Sequence, residues 1–158
     1  MDLFTNFPLW SAFAAIIFAQ VVKVPIEFIA TRKLKWGLVF STGGMPSSHS
    51  AAVAALTTAI GLSEGVGSPY FAISTIFAVI VMFDATGVRR HAGEQAIVLN
   101  RLVADFNRFV TEAKMWPEQE PKEKEKKLKE LLGHQPIEVF FGGLTGIAIS
   151  CLIYFFIL

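Results

Sequence analysis

The chain has 158 residues and a mass of 17.4 kDa; 53% of its residues are hydrophobic and 17% charged, and its mean hydropathy is +0.53. A soluble domain carries about a quarter charged residues, so this composition points instead to an integral membrane protein. A net charge of +1 excludes a strongly basic nucleic-acid binder and an acidic disordered tail, and the single Cys151, set in an apolar run, excludes a disulfide framework or a cysteine-rich metal site within one chain.

The first ten residues, MDLFTNFPLW, hold an acidic residue and no Lys or Arg, unlike the basic start of a secretory signal, so the first apolar segment reads as a permanent helix. A spanning helix needs about 20 largely apolar residues, and on that criterion spans are predicted over about 3–24, 50–66, 70–88 and 136–158. The second is the least apolar, with Thr57 and Thr58, but its Ala-rich stretch SAAVAALTTAIGL suits a helix packed among other helices. Between the third and fourth spans lies a polar insertion, 91–130. There Leu99, Leu102, Val103, Phe106, Val110 and Ala113 recur at intervals of three and four, which predicts an amphipathic helix from about Gly93 to Met115. WPEQEP breaks it, and EKEKKLKELL resumes a charged helix up to Gly133, its Lys/Glu run reading as a solvated face with i to i+4 pairs. The apolar side of the insertion is expected on the bilayer surface or on a neighbouring subunit. In the fourth span Gly142, Gly143 and Gly146 offer a small-residue face, assigned to packing within the bundle, with a homo-oligomer as the alternative use. The expected fold is all-α, one membrane domain over 1–158: an integral bundle of four transmembrane helices with a cytoplasmic amphipathic helical insertion.

Lys23, Arg32, Lys33 and Lys35 cluster at and after the end of the first span, and the remaining ten basic residues all fall between Arg89 and Lys129. By the positive-inside rule loops 31–49 and 89–135 are cytoplasmic, and both termini and the 64–69 turn face outside, in a multi-pass protein of the cell membrane.

Ionisable residues at span ends are costly and hence informative. Lys23 follows AAIIFAQVV, Asp84 follows FAVIVMF with Arg89 and Arg90 beyond it, His49 lies in GGMPSSHS, and His134 and Glu138 lie in LGHQPIEV; all are at the same ends of their helices and can converge in one layer. In GGMPSSHSAAVAA, Pro46, Ser47, Ser48 and the first amides of the following helix form a potential anion site, and His49 adds a group suited to general acid work. Glu138, four residues after His134, can fix its imidazole tautomer. Two histidines and two carboxylates could instead bind a metal, but common zinc spacings are lacking and Lys23, Arg32, Arg89 and Arg90 would repel a cation; cations with two histidines favour phosphate. No metal and no cofactor is expected.

At these residues the sequence resembles the type 2 phosphatidic acid phosphatase superfamily, which includes the vanadium haloperoxidases, and in particular its short, divergent membrane branch. That family carries a lysine followed at a distance by Arg-Pro, then Pro-Ser-Gly-His, then Ser-Arg with a histidine after five residues and an aspartate four further on. Pro46-Ser47-Ser48-His49 looks like the second motif with Ser for Gly, and Gly133-His134-Gln135-Pro136-Ile137-Glu138, followed by Gly142 and Gly146, looks like the end of the third with Glu for Asp. Lys23 matches the first lysine, but no Arg-Pro follows and Arg32 is the nearest arginine; the third motif reads as split, with Arg89 or Arg90 at the end of span three and the insertion before His134. The resemblance implies a metal-independent phosphatase that hydrolyses a phosphomonoester or diphosphate of a membrane lipid through a phosphohistidine intermediate. In it His134 takes the phosphoryl group, Glu138 orients His134, and His49 protonates the departing alkoxide. Lys23, Arg32, Ser47, Ser48 and Arg89 or Arg90 hold the phosphoryl oxygens, with Asp84 as a supporting carboxylate. The alternative is a non-catalytic lipid-phosphate-binding or assembly protein.

Overall fold

A computed structural model of the chain describes residues 3–34, 36–41, 43–113, 128 and 133–157, and every regular element among them is helical. A turn of 3-10 helix, Leu3–Thr5, leads into α1, Phe7–Thr31. Asn6 starts α1 by accepting from the Leu9 amide at 3.1 Å, and Pro8 falls in the first turn, where its missing N–H would have had no partner. The sequence expectation ends this segment at residue 24, but the helix runs on through Pro25 to Thr31. An internal proline forfeits one backbone bond, a loss that helices in membrane bundles absorb. Arg32, in the left-handed region at φ 56°, closes α1 with its amide on the Phe28 carbonyl. A second 3-10 turn, Trp36–Phe40, packs against α1.

Helix α2, Ser48–Glu64, begins at Ser47, whose side chain accepts from the Ser50 amide, and stops at Gly65 with φ 80°. Its 17 residues give a length of about 25 Å, short of the roughly 30 Å hydrocarbon core. Three segments are long and apolar enough to cross a membrane: α1, the stretch Pro69–Val110 that begins with α3 (Pro69–Thr86), and α5 (Pro136–Phe156). The lower hydropathy of α2 follows from its place. It touches α1, α3 and α5, and Ser48, Ser50, Ala51, Val53, Ala54, Ala55 and Ala59 on it are buried. A helix ringed by helices needs small residues for close approach rather than bulky ones for lipid.

Ser68 caps α3 through the Phe71 amide, and Gly87 alone separates α3 from α4, Val88–Ala113. The Gly87 amide bonds the Phe83 carbonyl and the His91 amide bonds the Gly87 carbonyl, so the ladder carries across the break and α4 starts five residues before the expected Gly93. Leu99, Leu102, Val103 and Phe106 on α4 are exposed, and so are Arg101 and Asp105. The expected end at Met115 and the charged helix 123–132 lie outside the described residues, apart from Leu128, whose backbone N–H and carbonyl both pair with the Asn100 side chain.

The interior is made of small side chains. Ala15 and Ala19 of α1 meet Ala51 and Ala55 of α2, all fully buried, while Phe18, Phe77, Phe83 and Phe155 point outward. Gly142 and Gly146 let α5 lie directly on α2: a Cβ at Gly142 would strike the Ser47 carbonyl, and one at Gly146 the Ala51 carbonyl and the Ala55 amide nitrogen. Gly142 and Gly146 of the small-residue face are thus taken by α2 of the same chain, while Gly143 faces Met82 of α3.

Candidate active site

Backbone bonds define the layer in which the candidate residues meet. The Ser47 amide donates to the Glu138 carbonyl at 2.9 Å, tying the start of α2 to the first turn of α5. The His134 amide donates to the Ala85 carbonyl, also at 2.9 Å, tying the residues before α5 to the end of α3. Gly133 makes this approach possible: it has φ 88°, and a Cβ there would run into the backbone of Arg89 and Arg90. The end of α3 and the segment before α5, separated in sequence by the insertion, therefore touch through their main chains.

His134 is 3% exposed. Its Nδ1 lies 2.9 Å from Glu138 Oε2, and the same oxygen accepts from the Gln135 amide at 3.1 Å. A carboxylate can only accept, so this contact places the proton on Nδ1 and leaves Nε2 with its lone pair free. Nε2 is buried and has no hydrogen-bond partner among the described residues. The His49 ring stands edge-on to it with centroids 6.1 Å apart, on the exposed side of the α2 N-terminus.

Lys23 is 2% exposed, the largest fully buried side chain, and its Nζ donates to the Ser41 carbonyl at 3.2 Å. It lies close enough to act electrostatically on both Glu138 and His49, and Arg89, Asp84 and His134 act on His49 as well. Arg89 donates through Nε to Asp84 Oδ2, which keeps its guanidinium at the end of α3; Arg90 turns instead to Glu94, at 3.1 Å. Of the two arginines that the sequence leaves open, Arg89 is the one in the layer. Arg32 is exposed and nine residues beyond Lys23, about 13 Å further along α1. Ser47 and Ser48 are buried, the Ser47 hydroxyl accepting from both the amide and the hydroxyl of Ser50. The carbonyls of Ser41 and Ala85 are structural members of the layer that no side-chain pattern could have disclosed.

The chain belongs to the Divergent PAP2 family, whose model matches residues 4–149. It is 70% identical over 156 residues, 99% of either chain, to the uncharacterized membrane protein YuiD of Bacillus subtilis (strain 168). No solved structure matches it. Family, relative and apolar helices together make this a membrane protein of the Divergent PAP2 family.

Proposed function

We propose that the protein is a metal-independent lipid phosphate phosphatase working through a phosphohistidine at His134. The observation that carries this reading is the His134 ring: buried, held at Nδ1 by Glu138, and without a partner at Nε2 among the described residues. Nε2 attacks phosphorus, a P–N bond forms, and the P–O bond to the lipid breaks as His49 gives its proton to the leaving alkoxide. Water then attacks phosphorus, the P–N bond breaks, phosphate leaves, and His49 recovers the proton. Lys23, Arg89, the Ser48 hydroxyl and the free amides of the first turn of α2 stabilise the charge on the phosphoryl oxygens. Ser47 supports the layer as a cap, Asp84 holds Arg89, and Arg32 and Arg90 are peripheral. Around this site we assign the whole chain to one domain of four membrane-embedded helices with an amphipathic cytoplasmic α4. The 31–49 and 89–135 loops are cytoplasmic and both termini outside, in keeping with the distribution of Lys and Arg. The substrate is then a lipid phosphate of the cytoplasmic leaflet, such as phosphatidic acid or phosphatidylglycerol phosphate.

Phosphate release by detergent-purified protein in the presence of a chelator tests this reading. Turnover of a lipid phosphate supports it; no turnover on any lipid, with vanadate still bound, supports a non-catalytic lipid-phosphate binder, the reading favoured by the distance of Arg32 from Lys23. Glu138→Gln is expected to lower kcat by about 10²–10⁴, because an amide can donate to Nδ1 and so favour the wrong tautomer. Gly133→Ala, strained by its φ and blocked by the Arg90 backbone, is expected to shift His134 and cost about a hundredfold in turnover, read in the same assay.

A further inference from the structure

Helices α3 and α5 both lie on α2 but barely touch each other, and the cleft left between them is an apolar groove of about 550 Å³. Val79, Met82 and Phe83 form one wall, and Phe140, Gly143 and Ile147 the other. Its upper end is made by Thr86 and Pro136. Those residues flank the bond from the His134 amide to the Ala85 carbonyl, so the groove starts directly beneath the candidate catalytic layer. The Thr86 hydroxyl is turned back to the Met82 carbonyl, which leaves this wall apolar up to its end.

Its length identifies the occupant. From Pro136 to Ile147 the groove follows twelve residues of α5, a rise of about 16 Å, and half of the hydrocarbon core is about 15 Å. The groove therefore runs through one leaflet, on the side of the phosphate layer, and stops near the midplane. A helix from a second copy would need a groove running the full thickness; a single lipid chain from the same leaflet does not. Cations and histidines at one end and hydrocarbon surface below match the two ends of one anionic amphiphile.

We propose that the α3/α5 groove is a chain-binding subsite that holds one acyl or prenyl chain of the lipid whose phosphate enters the His134 layer. This rests on the functional reading above and adds to it the place where the chain of the substrate sits and a discrimination by chain length. Gly143 is the position at which to test it. A Cβ there meets only Met82 Cε, at 3.6 Å, an ordinary contact, so alanine fits and leaves the groove open, whereas leucine would fill it without touching the catalytic layer.

For Gly143→Leu the expected result is a rise of at least about tenfold in KM for dioleoyl phosphatidic acid relative to the change in KM for dihexanoyl phosphatidic acid. Equal effects on long and short chains, or no effect on either, would overturn the subsite. Wild-type protein provides a second arm that does not depend on turnover or on a variant's folding: a phosphatidic acid carrying a photoreactive group at mid-chain should label residues 79–86 or 139–147. Labelling displaced by unlabelled phosphatidic acid but not by phosphatidylcholine supports the subsite. Labelling displaced equally by both marks ordinary boundary lipid, and no lipid labelling with cross-linking of those segments between copies of the chain marks a dimer surface; either contradicts it. Loss of turnover on every substrate with selective labelling intact would fault the phosphatase reading and leave the groove standing.

Discussion

Replacing His134 with alanine is expected to lower phosphate release by at least about a thousandfold while leaving the protein folded. The fold should survive because the bond that positions this segment comes from the His134 backbone amide to the Ala85 carbonyl, and alanine keeps it. Among the described residues Nε2 has no hydrogen-bond partner to lose, so what the ring gives to stability is its Nδ1 contact with Glu138 and its packing. An inactive variant that stays folded, with a melting temperature lowered by no more than a few degrees, is the expected result. Loss of the folded state would instead assign the ring to packing.

The second large effect is expected at Gly146. A single methyl group there meets the Ala51 carbonyl and the Ala55 amide nitrogen, main-chain atoms of the central helix that cannot rotate away. Gly146→Ala should therefore destabilise the bundle by about 1–3 kcal/mol, and Gly146→Leu should prevent α5 from seating on α2. Activity should fall with stability, since the bond from the Ser47 amide to the Glu138 carbonyl, which brings the two histidines together, depends on the same helix contact. Thermal unfolding in detergent, with Gly143→Ala as the tolerated comparison, reads the difference; equal melting temperatures for the two alanine variants would contradict the packing described here.

Much of this molecule is legible in its amino-acid sequence. Three apolar segments are long enough to span a membrane, and the pairing of His134 with Glu138 is readable from their spacing of four, although His134 precedes the N-cap Gln135 of α5 and the contact is made across the helix start rather than along one helix face. The limits of α1 are not, because Pro25 and Lys23 look like an end by hydropathy, yet a buried lysine with a carbonyl partner can be carried inside the helix. Nor can sequence weigh α2: its serines, threonines and alanines look weak as a span because they face helices rather than lipid. Arg89 and Arg90 are adjacent and chemically alike, and only the side chains they meet, Asp84 and Glu94, set them apart. The groove is invisible in the sequence for a related reason, since it depends on two helices failing to meet, and its walls are drawn from the same apolar residues that any span presents to lipid.

The most direct test of the central claim is to trap the enzyme during turnover of phosphatidic acid, quench with alkali, under which a phosphohistidine survives, and map the phosphoryl group by mass spectrometry. The account predicts a phosphoryl group on the peptide containing His134, increased in His49→Ala if loss of that proton donor and acceptor slows hydrolysis more than transfer, and absent from His134→Ala. Turnover in chelator with no phosphoryl group on His134, or with one on another residue, would contradict it.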